Sequence, residues 1–114
     1  MNRILKAFRY SFEGLASAAR SEPAFRQELA VFAVAFPVAL LLPFGLATKA
    51  LLVSSLFLVL IAELANTAIE AVVDRISEER HPLSKKAKDI GSALVLLAIL
   101  NAAAVWSFVL IKIF

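Results

Sequence analysis

Apolar positions along this chain fall into one amphipathic stretch and three long runs without charge. Over residues 1–21, Ile4, Leu5, Phe8, Phe12, Leu15 and Ala19 project within about 100° of one another on a helix. Arg3, Lys6, Arg9, Glu13 and Arg20 project opposite them, with Tyr10 near Arg3 on the polar side. That pattern predicts a surface helix in the headgroup layer, its cations turned toward anionic lipid. Ser21-Glu22-Pro23 interrupts it, because a residue before proline avoids the α conformation while proline suits a first helical turn. A first membrane span is therefore expected over residues 24–43, kinked at Pro37 and ended by Pro43-Phe44-Gly45. Thr48 and Lys49 leave room only for a tight connection to a second span, residues 49–75, which exceeds the ~20 residues needed to cross hydrocarbon. Residues 76–88 read as a polar loop with a turn at His81-Pro82. A third span is expected over residues 85–112, interrupted by Gly91, Ser92 and Asn101, the last expected to form an interhelical hydrogen bond.

Composition agrees with this pattern. The chain has 114 residues, 61 % of them hydrophobic, and a mean hydropathy of +0.86, against an apolar share of ~45–50 % in soluble domains. The fold class is an all-α membrane protein of one domain, a surface helix plus three transmembrane helices in an oligomeric bundle. With no cysteine, disulfides and thiolate chemistry are excluded. The basic start lacks a continuous apolar run, so it reads as retained rather than as a cleaved signal peptide. Of the Lys and Arg residues, five lie up to Arg26, one at Lys49, five between Arg75 and Lys88, and one at Lys112. The positive-inside rule then places the N-terminus and the 76–88 segment in the cytosol. No nucleic-acid partner is expected.

One stretch does not suit a membrane span. In Glu63-Leu64-Ala65-Asn66-Thr67-Ala68-Ile69-Glu70-Ala71-Val72-Val73-Asp74, the residues Glu63, Asn66, Glu70 and Asp74 fall within about 80° of each other on a helix. A carboxylate at the centre of a span costs about 2.5–3.5 kcal/mol on insertion scales, so these groups should face protein, metal or water. Three spans cannot surround the stripe, which implies a homo-oligomer with stripes turned inward or set beside a neighbour's polar groups. Three chemistries suit it. Hard oxygen ligands can hold Mg²⁺, whose remaining positions take water and substrate phosphates. Inward carboxylates can also line a path in a small cation or proton conductor. Finally, Asn66, Thr67 and the carboxylates can act as glue between helices. Soluble nucleotide-binding signatures are absent, and spacing alone leaves these alternatives open.

The same stretch through Arg75, followed by Lys85-Lys86-Ala87-Lys88-Asp89-Ile90-Gly91-Ser92-Ala93, resembles the signature of the prokaryotic diacylglycerol kinase family. The basic start and Glu22-Pro23-Ala24-Phe25-Arg26-Gln27-Glu28 extend the resemblance over nearly the whole chain. It implies a homotrimer of the bacterial inner membrane that moves the γ-phosphoryl group of ATP to the 3-hydroxyl of diacylglycerol, with Mg²⁺ and active sites shared between protomers. On it, Glu63 is the catalytic base, Asn66 supports the cluster, and Glu22 and Glu70 bind metal. ATP contacts map to Arg3, Tyr10, Glu22, Glu70, Glu79, His81, Lys88 and Asp89, and lipid contacts to Arg3, Arg26, Glu28, Glu63 and Ser92. Phe12 stands where relatives often carry tryptophan. The related undecaprenol kinases share Asn66-Thr67-Ala68-Ile69-Glu70, so a polyprenol acceptor is the alternative within the family. Asp74 receives no role from the resemblance.

Overall fold

The computed structural model describes residues 2–113, and within them the chain forms four helices and no strand. α1 (Asn2–Ser21) leaves Ile4, Leu5, Phe8 and Phe12 more than half exposed and meets the rest of the chain chiefly at α2. An uncovered apolar face opposite a basic one is what a helix needs to lie in a membrane surface. Glu22 alone, with extended backbone (φ −114°, ψ 107°), separates α1 from α2 (Pro23–Leu41). The Arg26 guanidinium holds this corner, its Nη1 donating to the carbonyls of Ala19 (2.8 Å) and Arg20 (3.0 Å). Carbonyls in the last turn of a helix have no partner within it, so Arg26 completes the end of α1.

α2 continues through Pro37 and stops before Pro43. At that end Lys49 Nζ donates to the Leu40 carbonyl at 2.6 Å. α3 (Leu46–Ile76) starts earlier than the second span read from the pattern, taking Thr48 and Lys49 into its first turn. Its 31 residues extend about 45 Å, against ~30 Å of hydrocarbon, so one end must emerge.

α4 (Pro82–Ile111) corrects the expected 76–88 loop. The His81 Nδ1 accepts the Leu83 N–H at 3.1 Å and Pro82 occupies the first turn, so the His-Pro step caps a helix. Lys85, Lys86 and Lys88 are thus helical, and Lys85 pairs with Asp89 one turn on at 2.6 Å. Only residues 77–81 join α3 to α4.

α2, α3 and α4 are each long and apolar enough to cross a membrane. α3 is central, packing on α4 and, on another side, on α2. Phe25, Ala39 and Leu52 are fully enclosed, and Phe32 meets Phe57 edge to face at 4.9 Å between ring centres. Between α3 and α4, Trp106 Nε1 donates to Ser55 Oγ at 3.1 Å, while that hydroxyl donates to the Leu52 carbonyl at 2.6 Å. Asn101 is exposed and forms no side-chain hydrogen bond among the described residues, so within one chain it links no pair of helices. Leu41, Leu46 and Phe108 are also largely exposed, as befits surface meant for lipid or other copies of the chain.

Candidate active site

Along α3 the polar stripe runs from buried to exposed. Glu63 is 6 % and Asn66 9 % exposed, Glu70 is half-buried, and Asp74 is open to solvent. Glu63 stands about 20 Å from the C-terminal end of its helix, at 1.5 Å per residue. It is not alone there. Glu22, at the α1–α2 corner, and Glu70, two turns along α3, lie close enough to repel the Glu63 carboxylate electrostatically. Glu28 on α2 feels Glu63 in turn, and its Oε2 is buried without a hydrogen-bond partner. Carboxylates from α2, from the α1–α2 corner and from further along α3 therefore lie within electrostatic reach of Glu63.

Asn66 organises the middle of the stripe. Its Nδ2 donates to Glu70 Oε1 at 3.2 Å, one turn on, while its buried Oδ1 has no partner. That oxygen points at Gly91 of α4, where an added Cβ would collide with it and stand 3.3 Å from Asn66 Cγ. Glycine is needed at this position because the α4 backbone approaches the amide too closely for any side chain. Ser92, the next residue, is exposed.

Where α3 ends and α4 begins there is a depression of about 660 Å³, lined by Asp74, Glu79, His81, Lys88 and Asp89 among others. Lys88 Nζ lies 2.7 Å from Asp74 Oδ1, joining the two helices. His81 spends Nδ1 on the helix cap and keeps Nε2 free of that bond. Of the eight residues the resemblance assigns to ATP, Glu79, His81, Lys88 and Asp89 thus share one hollow, while Glu22 and Glu70 do not line it. Arg3 and Tyr10 line a separate shallow depression on α1. A third hollow, a groove of about 550 Å³, runs between α2, α3 and α4 with almost wholly apolar walls, including Val31, Leu60 and Trp106. Glu28 stands on its wall, linking the groove to the carboxylates around Glu63. Arg26 keeps its contacts to the end of α1.

Among the described residues no three acidic or histidine side chains gather as a ready metal cage. Mg²⁺ seldom has such a cage; it is held by one or two carboxylates and takes water and phosphate oxygens elsewhere. Glu22 and Glu70, both within electrostatic reach of Glu63, are hard oxygen donors of that kind.

Three relationships escaped the sequence reading. The Asp74–Lys88 pair joins residues too far apart in sequence for helical periodicity to connect. The Gly91–Asn66 approach depends on how α4 crosses α3. The Trp106–Ser55 bond had a weak signal, since a buried indole N–H usually finds an acceptor and serine is a common one within membrane bundles.

Comparison with known proteins bears on this geometry. The sequence pattern of the family described as prokaryotic diacylglycerol kinase matches residues 9–110. A diacylglycerol kinase of Escherichia coli (strain K12) is 50 % identical over 108 residues, 95 % of this chain and 88 % of that protein. One from Pseudomonas aeruginosa is 47 % identical over 111 residues, 97 % and 90 % of the two chains. One from Haemophilus influenzae is 40 % identical over 110 residues, 96 % and 93 %.

Proposed function

The chain belongs to the prokaryotic diacylglycerol kinase family and is a diacylglycerol kinase of a bacterial membrane; we propose that it transfers the γ-phosphoryl group of ATP to the 3-hydroxyl of diacylglycerol at the cytosolic face of the inner membrane. The observation that carries the site assignment is Glu63, a buried carboxylate on a membrane-length helix within the electrostatic reach of Glu22 and Glu70. A general base must reach its proton at the depth where the lipid presents its hydroxyl. Glu63 accepts the hydroxyl proton as the lipid oxygen bonds to the γ-phosphorus, and the bond from that phosphorus to the β–γ bridging oxygen breaks to release ADP. Phosphatidate is the product.

Transfer of this kind asks mainly for positioning and charge stabilisation, so a small scaffold suffices. Glu22 and Glu70 would hold Mg²⁺, which when bound offsets negative charge on the triphosphate. Asn66 orients Glu70 through its 3.2 Å hydrogen bond. The hollow between α3 and α4 receives the nucleotide, with Lys88 toward the phosphates and Glu79, His81 and Asp89 around it. Arg3 and Tyr10 reach the nucleotide from the surface helix. The apolar groove suits an acyl chain, with Glu28 polar at its wall; the resemblance adds Arg26 and Ser92, which stand outside the groove, as further lipid contacts.

A homotrimer with shared sites completes the proposal. The many exposed apolar side chains on the spanning helices and the separation of Arg3 and Tyr10 from the larger hollow support it. The N-terminus is cytosolic on the charge distribution. The test is direct: purified protein with Mg-ATP and diacylglycerol in detergent forms phosphatidate, and Glu63→Gln does not. Equal phosphatidate formation by Glu63→Gln would overturn the assignment of the base, and undecaprenol tested alongside separates the two acceptors.

A further inference from the structure

We propose that Asp74 is a positioning residue for the nucleotide, acting through Lys88. The inference rests on the reading that Lys88 meets the phosphates of ATP. Asp74 lies in the last turns of α3 and Lys88 in the second turn of α4, and their charged atoms are 2.7 Å apart. Both side chains keep substantial exposure, 60 % and 44 %. Ion pairs this open to water contribute little to stability, because solvent screens the attraction and two flexible side chains must be held still. The packing of α3 on α4 has other means of support in the Asn66–Gly91 approach and the Trp106–Ser55 bond. Keeping the helices together is therefore a weak explanation for the pair.

Its location gives a better one. Asp74 and Lys88 both face the hollow that also presents Glu79, His81 and Asp89. A lysine ammonium is a compact charge on a four-carbon stem with many rotamers, so an unrestrained Lys88 would spend most of its time away from any one phosphate site. Asp74 selects one of those rotamers and sets the ammonium beside the Asn66–Glu70 stripe, within the field of Glu70. The nucleotide then meets a cation already in place, and the ordering of the lysine stem precedes binding. Because the exposed carboxylate has water as its alternative partner, Lys88 can pass to a phosphate oxygen without leaving a buried charge behind. Asp89 does not fulfil this task, since it is paired with Lys85 at 2.6 Å.

Steady-state kinetics of the full enzyme in detergent, varying MgATP and diacylglycerol separately, test the proposal. Asp74→Asn is expected to raise the KM for MgATP about three- to tenfold, leaving kcat and the KM for diacylglycerol within about twofold. Asp74→Glu restores the carboxylate and most of the affinity. A fluorescent, non-hydrolysable ATP analogue gives the same comparison by equilibrium binding when a variant turns over too slowly. In a Lys88→Met background Asp74→Asn has no further effect on nucleotide affinity, because the residue acts through the lysine. An unchanged or lower KM for MgATP in Asp74→Asn, or an equal loss in the Lys88→Met background, overturns the proposal. If Lys88→Met itself binds nucleotide as the parent does, the assignment of Lys88 has failed; if it binds weakly while Asp74→Asn binds normally, only the role of Asp74 has failed.

Discussion

Asn66 donates to Glu70 across one turn of α3 at 3.2 Å, with its own carbonyl oxygen buried and unpartnered against α4. An amide so placed restricts the Glu70 carboxylate to one rotamer, which is what a metal-binding or phosphate-facing carboxylate requires. Asn66→Ala removes the donor while leaving Glu70 able to turn toward water, since Glu70 is only half-buried. The expected outcome is a fall in kcat of about 10- to 100-fold, the scale of a displacement near 1 Å at a reacting centre. Stability in detergent should change by about 1 kcal/mol, the net value of one such bond. A variant with full activity would show that Glu70 needs no amide to position it.

Gly91 makes the same cluster sensitive to its neighbour helix. Its hypothetical Cβ would overlap Asn66 Oδ1 and meet Ile69 Cδ1 at 3.6 Å. Gly91→Ala must push α4 away or turn the amide, at a cost of about 1–3 kcal/mol for overpacking. Denaturant unfolding measures that loss, and activity should fall with it because Asn66 is displaced. Adding Asn66→Ser makes room for the methyl and should recover stability without recovering activity. Recovery of both would mean that the amide fills space and does nothing further.

Much of this arrangement was legible in the residues themselves. Helix periodicity brought Glu63, Asn66, Glu70 and Asp74 onto one face of a span, and the absence of charge from Leu29 to Ala47 marked another span. What one helix does within itself could be read, whereas what two helices do together could not. The hydrogen bond at His81 shows why: polar residues 82–88 looked like a loop because no apolar period runs through them, yet a capping imidazole and Pro82 start the helix there. Asn101 shows the limit from the other side. A lone amide in an apolar run suggests a partner, yet within one chain Asn101 is exposed and meets none. The break at Glu22 was legible in the proline that follows it, but the grouping of Glu22 and Glu28 with Glu63 also depends on how α2 packs on α3, which spacing does not show.

Metal dependence should follow the two carboxylates proposed to hold it. Chelation with EDTA is expected to abolish phosphatidate formation, and added Mg²⁺ to restore it. Glu22→Gln and Glu70→Gln each remove one charged oxygen donor, so each should raise the Mg²⁺ concentration giving half-maximal rate by about tenfold or more. Glu78→Gln, a change on the same polar hollow outside the proposed metal pair, should leave that concentration unchanged. If Glu22 and Glu70 of different protomers complete one site, co-assembled Glu22→Gln and Glu70→Gln protomers regain part of the activity that each lacks. Mixed oligomers without any such gain would place both ligands in a single chain.

The orientation argued from charge can be checked because the chain has no cysteine. Gly45 lies in the α2–α3 connection with no other atoms near its Cβ position, and Glu78 is exposed in the α3–α4 connection. Gly45→Cys and Glu78→Cys should therefore both fold. A membrane-impermeant thiol reagent is expected to label Gly45→Cys in intact spheroplasts and Glu78→Cys only in inverted vesicles. The reverse pattern would put the proposed nucleotide hollow on the outside, where no ATP is supplied.

Within the apolar part of the bundle, Ser55 and Trp106 allow the two ends of one hydrogen bond to be compared. Trp106→Phe keeps an aromatic ring on the groove wall and leaves Ser55 Oγ still donating to the Leu52 carbonyl. Ser55→Ala instead leaves the indole N–H without its acceptor at membrane depth. An orphaned donor costs more than a lost bond whose other partner remains satisfied. Ser55→Ala should accordingly destabilise by about 1–2 kcal/mol and Trp106→Phe by less than about 1 kcal/mol, with turnover nearly unchanged in both. Equal losses would mean that water reaches the indole along the groove, a result that hydrogen exchange at the Trp106 N–H would detect independently.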